Sequence, residues 1–259
     1  MATILFDSII FGPIHSRRLG VSLGVNLLPA DGKLCSFNCI YCECGLNEER
    51  RTQSKMPTRE AVREALEKKL KEMQDEGVCP DVITFAGNGE PTLHPQFAAV
   101  IDDTIALRDI YCQQAKIAVL SNATRIDRPD VFAALNKVED NILKLDSVLD
   151  SRIRQLDVPN SPGFTFAWLL EHLKRFEGNL IIQTMFLRGE QDGVSVDNTT
   201  EEEITGWLKA LEEIRPRQVM IYTIDRETPV KGLKKVSKED LEAIADRIRR
   251  LGFEVSVSA

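Results

Sequence analysis

Short apolar, β-branched runs alternate with longer stretches of helical period along most of this 259-residue chain, and that alternation constrains its fold more than any other feature. Residues 21–28, 81–86, 116–120, 141–145, 180–187 and 218–224 read as strands, with 253–257 as a candidate seventh. Between them, residues 58–73 carry Val62, Leu66, Leu70 and Met73 at one-turn spacing, and residues 96–107 carry Phe97, Val100, Ile101 and Ile105. Further helices are expected at 128–135, at 164–176, from Thr200 through Leu211 and from Ser237 through Leu251. Thr58, Asp127, Thr200 and Ser237 are the candidate N-caps, Thr200 and Glu203 making a capping-box pattern, with Gly178 and Gly252 as stops. Strands joined by helices run parallel through right-handed crossovers. Six or seven units fall short of the eight that close a barrel. The expectation is therefore an α/β fold, an incomplete (β/α)6-type TIM barrel, laterally open, on a parallel sheet. Residues 1–20 are read as a lead-in and 21–259 as a single partial-barrel domain. The most loop-like stretches are 44–57 and 189–198.

Cys35, Cys39 and Cys42 follow the first strand with the spacing C-x3-C-x2-C. Three thiolates packed this tightly can hold three corners of a cubic iron–sulfur cluster and leave one iron open to a reactant. Zinc, with Cys44 or a histidine as fourth ligand, is the competing reading, although zinc sites more often pair two separated C-x2-C units. Cys44 is read as a free thiol. Cys79 and Cys112 stand alone and are expected to be packing residues, so one cluster is expected.

In barrels of this kind reactive groups collect beyond the C-terminal ends of the strands. The segment Gly87-Asn88-Gly89-Glu90-Pro91 follows the second predicted strand, and Ser121-Asn122 the third. Lys144 and Asp146 end the fourth, Gln183 and Met185 lie on the fifth, and Tyr222, Asp225 and Arg226 end the sixth.

The run Cys35-Ser36-Phe37-Asn38-Cys39-Ile40-Tyr41-Cys42, followed by Gly87-Asn88-Gly89-Glu90-Pro91, resembles the radical S-adenosylmethionine enzymes, in cysteine spacing, in the aromatic residue before the last cysteine and in the Gly-Glu-Pro turn. The stretch from Phe11 to Gly20, with His15, Ser16, Arg17 and Arg18, is similar to a wyosine-synthase-like, tRNA-modifying branch. The resemblance implies one 4Fe–4S cluster on Cys35, Cys39 and Cys42. It also implies S-adenosylmethionine as cofactor, reductively cleaved to a 5′-deoxyadenosyl radical that abstracts hydrogen from a substrate. By the same analogy the edge at Gly87, Asn88 and Gly89 meets the methionine amino group, the glycines letting backbone approach the ligand, and Glu90 accepts from it. Tyr41 then packs near the adenine, Asn122, Lys144 and Asp146 serve the carboxylate and ribose hydroxyls, and Gln183 lines the adenine or substrate side. An electron donor such as ferredoxin or flavodoxin is implied as a partner. A tRNA base or nucleotide, a glycyl-radical partner protein and a small metabolite are the three substrate classes. A non-catalytic iron–sulfur or zinc binding module is the alternative of a different kind.

Composition limits the setting. With 43% apolar and 28% charged residues a large core is within reach, and no apolar run approaches a membrane span, so no membrane partner is expected. The first ten residues lack the basic start of a signal peptide, and six cysteines with three crowded together suit a reducing cytoplasm. A net charge of −7 disfavours a broad nucleic-acid footprint. Arg50, Arg51 and Lys55, and the tract Lys231, Lys234, Lys235 and Lys238, read first as solvated surface. His94 and His172 read as packing or capping residues, and a structural salt bridge is the simplest role for His15.

Overall fold

The structure is a computed structural model that describes residues 4–16, 19–49 and 52–259; Arg17, Arg18, Arg50 and Arg51 lie outside the described residues. Its elements are β1 (Ile10–Ser16), β2 (Gly20–Val25), α1 (Arg59–Asp75), β3 (Val82–Phe85), α2 (Phe97–Tyr111), β4 (Lys116–Ser121), α3 (Pro129–Leu135) and β5 (Asp140–Lys144). There follow α4 (Asp150–Leu156), α5 (Phe166–Lys174), β6 (Ile181–Gln191), β7 (Val194–Ser195), α6 (Glu201–Ile214), β8 (Gln218–Thr223), β9 (Leu233–Lys235), α7 (Lys238–Arg250) and β10 (Val255–Ser258).

The sheet runs β1-β2-β3-β4-β5-β6-β8-β10 and does not close. From β2 to β10 every neighbouring pair along that path is parallel. This is the open partial barrel expected from the alternation. Burial on both faces explains the continuous apolar strands: Ile83, Phe85, Ile117, Val119, Leu143, Ile182, Val219 and Ile221 pack with the helices. Val82, Ala118, Ile142, Ile181 and Met220 form a second, smaller cluster. On the helices, Val62, Leu66, Leu70 and Met73 of α1 are all buried. Thr58, Thr200 and Ser237 cap their helices through side-chain acceptors at 3.2, 3.3 and 3.0 Å.

Several features depart from the sequence reading. The lead-in is part of the sheet: β1 pairs antiparallel with β2, Ile10 opposite Val25. Pro13 inside that segment hides the strand pattern, and an edge strand tolerates it. Asp127 is not the cap: Arg128 is the N-cap of α3, it offers no side-chain acceptor to the helix amides, and its guanidinium instead pairs with Asp130 at 2.9 Å. Only half of the capping box forms, because the buried Glu203 carboxylate turns to Ser147 Oγ at 2.9 Å instead of back to its own helix start. The stretch 189–198 is no simple loop: β6 continues through Gln191 and pairs antiparallel with both β7 and β9. Among the described residues no helix is long and apolar enough to cross a membrane.

Candidate metal and cofactor site

The cysteine loop is stitched to two neighbours by backbone hydrogen bonds. On one side Leu34 N–H donates to the Asn88 carbonyl at 2.9 Å and Glu90 N–H donates to the Leu34 carbonyl at 3.1 Å. On the other, the amides of Asn38 and Ile40 donate to the carbonyls of Asp157 and Leu156, each at 3.0 Å, and Asn160 N–H donates to the Ser36 carbonyl at 2.9 Å. Loops beyond β3 and α4 thus hold the three cysteines from both flanks. Asn160 Nδ2 adds a bond to the Cys35 carbonyl at 3.1 Å.

Cys35, Cys39 and Cys42 line one cavity of about 170 Å³, together with Cys44, Tyr41, Gly87, Gly89, Glu90, Ser121, Asn122, Lys144 and Gln183. Most of the residues singled out in the sequence are therefore brought together at the C-terminal ends of β2 to β6. Among the described residues, no three Cys, His, Asp or Glu side chains gather as closely as a single metal ion requires. The thiols stand around the cavity wall.

The surroundings favour the thiolate at Cys42 and oppose it at Cys39, where burial and then Asp157 push the thiol up. Lys33 is 4% exposed, its ammonium donating to the Gly45 carbonyl at 2.7 Å. Burial opposes its charge, yet the thiolates of Cys42, Cys35 and Cys39 outweigh burial and hold its pKa above the ordinary lysine value. The hydrogen bond from Cys44 is the main cause that lowers Cys42 to about 5, with Lys33 assisting against burial, while the same bond and burial drive Cys44 upward. Burial, then the neighbouring Glu90, push Cys35 up to about 12. Asn122 Nδ2 faces Cys35 Sγ at 3.6 Å and Ser36 Oγ at 2.9 Å.

Glu90 is the most heavily engaged carboxylate here. Its Oε1 accepts from Thr92 N, Thr92 Oγ1 and Ser121 Oγ at 3.0, 2.5 and 2.9 Å, and Oε2 accepts from Asn122 N at 2.6 Å. Burial raises its pKa against those four bonds. Three donors crowd Oε1 while Oε2 has one, so Oε2 retains acceptor capacity.

A second polar group borders the cysteines. Lys144 Nζ bonds Asp146 Oδ2 at 3.0 Å, and Tyr41 Oη bonds both Asp146 and Lys144. Tyr41 Oη also reaches Asp157 Oδ1 at 3.3 Å, which faces Cys39 Sγ at 3.6 Å. Two buried carboxylates share one lysine. Burial and then Asp146 push Asp157 well above the carboxylate range, while Lys144 is held charged against burial by Asp146. Burial thus favours the neutral form of Asp157, and Lys144 pairs with Asp146 at 3.0 Å.

Several residues sit differently from expectation. Asn88 does not line the cavity: its fully buried amide binds the Phe6 backbone N–H and carbonyl and the Pro29 carbonyl, each at 2.8 Å. Gly87 and Gly89 do line it, but their missing side chains make room for the chain itself. A Cβ on Gly89 would lie 1.9 Å from the Leu34 carbonyl oxygen, and one on Gly87 would lie 2.4 Å from Asn26 Oδ1. Met185 is tied by its backbone to Asp146 and Asn198 and is not among the lining residues. His94 bonds the Pro57 carbonyl and His172 the Trp168 carbonyl, each at 2.8 Å, as packing residues do. Cys79 and Cys112 are not isolated, since their sulfurs lie 2.6 Å apart. Lys33 and Asp157 were missed from the sequence. Lys33, two residues before Cys35, was within sight of the motif; Asp157 follows a short helix and carries no local signal.

The profile of the Radical SAM superfamily matches residues 31–193, the span that holds the cysteine loop, the Gly-Glu-Pro turn, Lys144, Asp146 and Asp157. The chain belongs to the Radical SAM superfamily. A UPF0026 protein of Helicobacter pylori is 31% identical over 238 residues, covering 90% of this chain and 71% of that protein. The fold is similar to that of Streptococcus suis SuiB bound to S-adenosylmethionine, with a TM-score of 0.65 at 15% identity, over 91% of this chain and 50% of that one. It is also similar to TYW1 with a lysine-pyruvate adduct bound, with a TM-score of 0.62 at 16% identity, over 88% and 73%. This radical SAM chain spans about half of the SuiB chain, and 32% of another curated relative matched at 28% identity. Membership makes it an enzyme of S-adenosylmethionine-cleaving radical chemistry that uses an iron–sulfur cluster. The residues present fit that cofactor pair: three thiols around one cavity, a buried cation facing all three, and polar groups on the adjoining wall.

Proposed function

We propose that Cys35, Cys39 and Cys42 hold a single 4Fe–4S cluster and that S-adenosylmethionine lies beside it against Gly87, Gly89, Glu90, Asn122, Lys144 and Gln183. The observation that carries this reading is the sharing of one cavity by the three thiols and the Gly-Glu-Pro turn. The chemistry supplied when both are bound is reductive cleavage of the sulfonium to methionine and a 5′-deoxyadenosyl radical.

The chain's own residues orient and shield. Lys33 balances thiolate charge from behind the loop. Glu90, fixed by Thr92, Ser121 and Asn122, offers Oε2 to the methionine ammonium, and its rigidity sets where that group rests. Tyr41 is locked by Asp146, Lys144 and Asp157, so its ring forms a fixed wall instead of a mobile lid. In this reading Lys144 and Asp146 serve as ribose and carboxylate partners only by opening part of that network. Asn88 acts at one remove, bracing the turn against Phe6 and Pro29.

The substrate is proposed to enter an adjoining cavity of about 620 Å³, lined by Cys35, Ser36, Thr124, Arg125, Asn160 and Trp168 among others. Its volume suits a ligand of nucleotide size. A base or nucleotide of tRNA is the proposed substrate class, in keeping with the similarity of the lead-in to the wyosine-synthase-like branch. A ferredoxin or flavodoxin is the proposed reductant, and a reducing cytoplasm the proposed location.

The test is anaerobic reconstitution followed by dithionite and S-adenosylmethionine, with 5′-deoxyadenosine as readout. Product well above a Cys39→Ala control is expected, and product at the control level overturns the reading. For the substrate, nucleoside profiles of RNA from parent and deletion strains should differ by at least one modified nucleoside. Identical profiles count against RNA.

A further inference from the structure

The two cysteines outside the cofactor site form a site of their own. Cys79 sits before β3 and is exposed, whereas Cys112 is the C-cap of α2 and only 2% exposed. Their Sγ atoms are 2.6 Å apart across 33 residues of chain, and Cys79 Sγ also faces the Tyr111 carbonyl at 3.8 Å. Such a contact brings both sulfurs within reach of one covalent bond.

The pair is remote from the cysteine loop. Cys79 precedes β3 and Gly87 follows it, so a strand of four residues, roughly 13 Å long, separates the two ends. Cys79 instead lines a different cavity, a cleft of about 610 Å³ with Pro80, Asp81, Lys116, Arg217 and Glu254 on its walls. The cleft carries both signs of charge. That mixture suits a ligand bearing ammonium and carboxylate groups, as a short peptide does.

We propose that Cys79 and Cys112 are a reversible dithiol–disulfide pair, oxidised by exchange with a small peptide disulfide held in this cleft. Exposure sets the order of events. Cys79 as thiolate attacks one sulfur of the peptide disulfide, forming a mixed disulfide and releasing one peptide thiolate, which takes up the proton Cys79 lost. Cys112 then loses its proton and attacks Cys79 Sγ, forming the internal disulfide and releasing the second peptide thiol. Two protein thiols are oxidised by two electrons and one peptide disulfide is reduced to two thiols, with protons passing one for one. Burial, then the hydrogen bond with Cys79, push the Cys112 thiol up to about 12, in keeping with its acting second. The product staples the start of β3 to the end of α2. In a reducing compartment such a bond serves as a transient redox record, not as a structural brace.

The experiment uses the cluster-loaded protein under anaerobic conditions, poised in glutathione and glutathione disulfide, quenched with N-ethylmaleimide and mapped by peptide mass spectrometry. Peptides containing Cys79 and Cys112 should appear joined, two hydrogens lighter, increasingly as the disulfide fraction rises, and dithiothreitol should separate them. Cys112→Ser should trap a stable glutathione adduct on Cys79. Gln114→Trp, which adds bulk to the cleft lining, should slow adduct formation at least fivefold in that background. Separate alkylation of both cysteines in the unaltered protein at the most oxidising ratio overturns the pair, a result that depends on no variant. An unchanged adduct rate in Gln114→Trp overturns the assignment of the cleft.

Discussion

Replacing Gly89 by alanine tests whether the cysteine loop and the Gly-Glu-Pro turn are one unit. Gly89 has φ +137°, a conformation that L side chains rarely adopt, and its Cβ would fall 1.9 Å from the Leu34 carbonyl oxygen. Backbone strain of this kind costs about 1–3 kcal/mol. The collision is with backbone, so no rotamer relieves it, and the Leu34 segment must withdraw. Withdrawal breaks the two bonds that join the segments, Leu34 N to Asn88 O and Glu90 N to Leu34 O. Each is worth about 0.5–1.5 kcal/mol. The total is about 2–6 kcal/mol, a large share of the ~5–15 kcal/mol that stabilises an ordinary fold. Gly77→Ala is the matched control: φ is +70° but nothing lies within 4 Å of its Cβ, so only the left-handed backbone cost of about 1–2 kcal/mol remains. Urea unfolding of the metal-free proteins measures the difference, and iron content after reconstitution measures loop placement. If Gly89→Ala loses no more stability than Gly77→Ala and loads iron normally, the coupling of loop and turn is refuted.

Glu90→Gln keeps shape but turns an amide nitrogen toward a donor of Thr92, Ser121 or Asn122, so a cost of about 1–3 kcal/mol and weaker S-adenosylmethionine binding are expected in unfolding and equilibrium-dialysis measurements. Lys144→Met strands Asp146 and Asp157 beside each other and should cost about 3–5 kcal/mol, which Asp146→Asn in the same chain should partly restore. Asp103 joins α2 to α1 through Arg59 at 2.6 and 2.8 Å, and that hydrogen bond above all holds its pKa below 3.8. Its stabilising effect is present above pH 3.8 and fades as pH falls through the lowered value, so the gap in urea midpoint between the parent and Asp103→Asn should shrink across that window. A gap that stays constant there would contradict the assignment. Because Cys35 and Cys42 are only half-buried, prolonged aeration of the reconstituted enzyme should release iron and abolish 5′-deoxyadenosine formation, and colorimetric iron assay with activity checks both.

Why some of this could be read from sequence and some could not follows from the range of the interactions involved. The parallel strands and their helices are written in local periodicity, since a strand buried on both faces must be continuously apolar and a helix must place Val62, Leu66 and Leu70 on one side. Caps such as Thr58 and Ser237 act within three residues and are legible for the same reason. β1 is not, because its antiparallel pairing with β2 is made through a strand interrupted by Pro13. In the site, the cysteines and Glu90 stand out because their chemistry demands fixed spacing. Asn88 lies in the same motif, yet its side chain faces Phe6, 82 residues away, and a motif cannot reveal which of its members turns inward. Asp157 shows the limit most clearly. It stands 118 residues from Cys39, marked by no neighbour of its own, and becomes part of the site only because the amides of Asn38 and Ile40 pin the cysteine loop to the end of α4. The spaced motif therefore names the atoms proposed to meet a cofactor, whereas the groups that surround them and hold them still are supplied by the barrel's long-range packing. A homologous chain that keeps the cysteines but loses Lys33 should bind iron with altered thiolate character, and a shifted cluster potential in Lys33→Met would register that dependence.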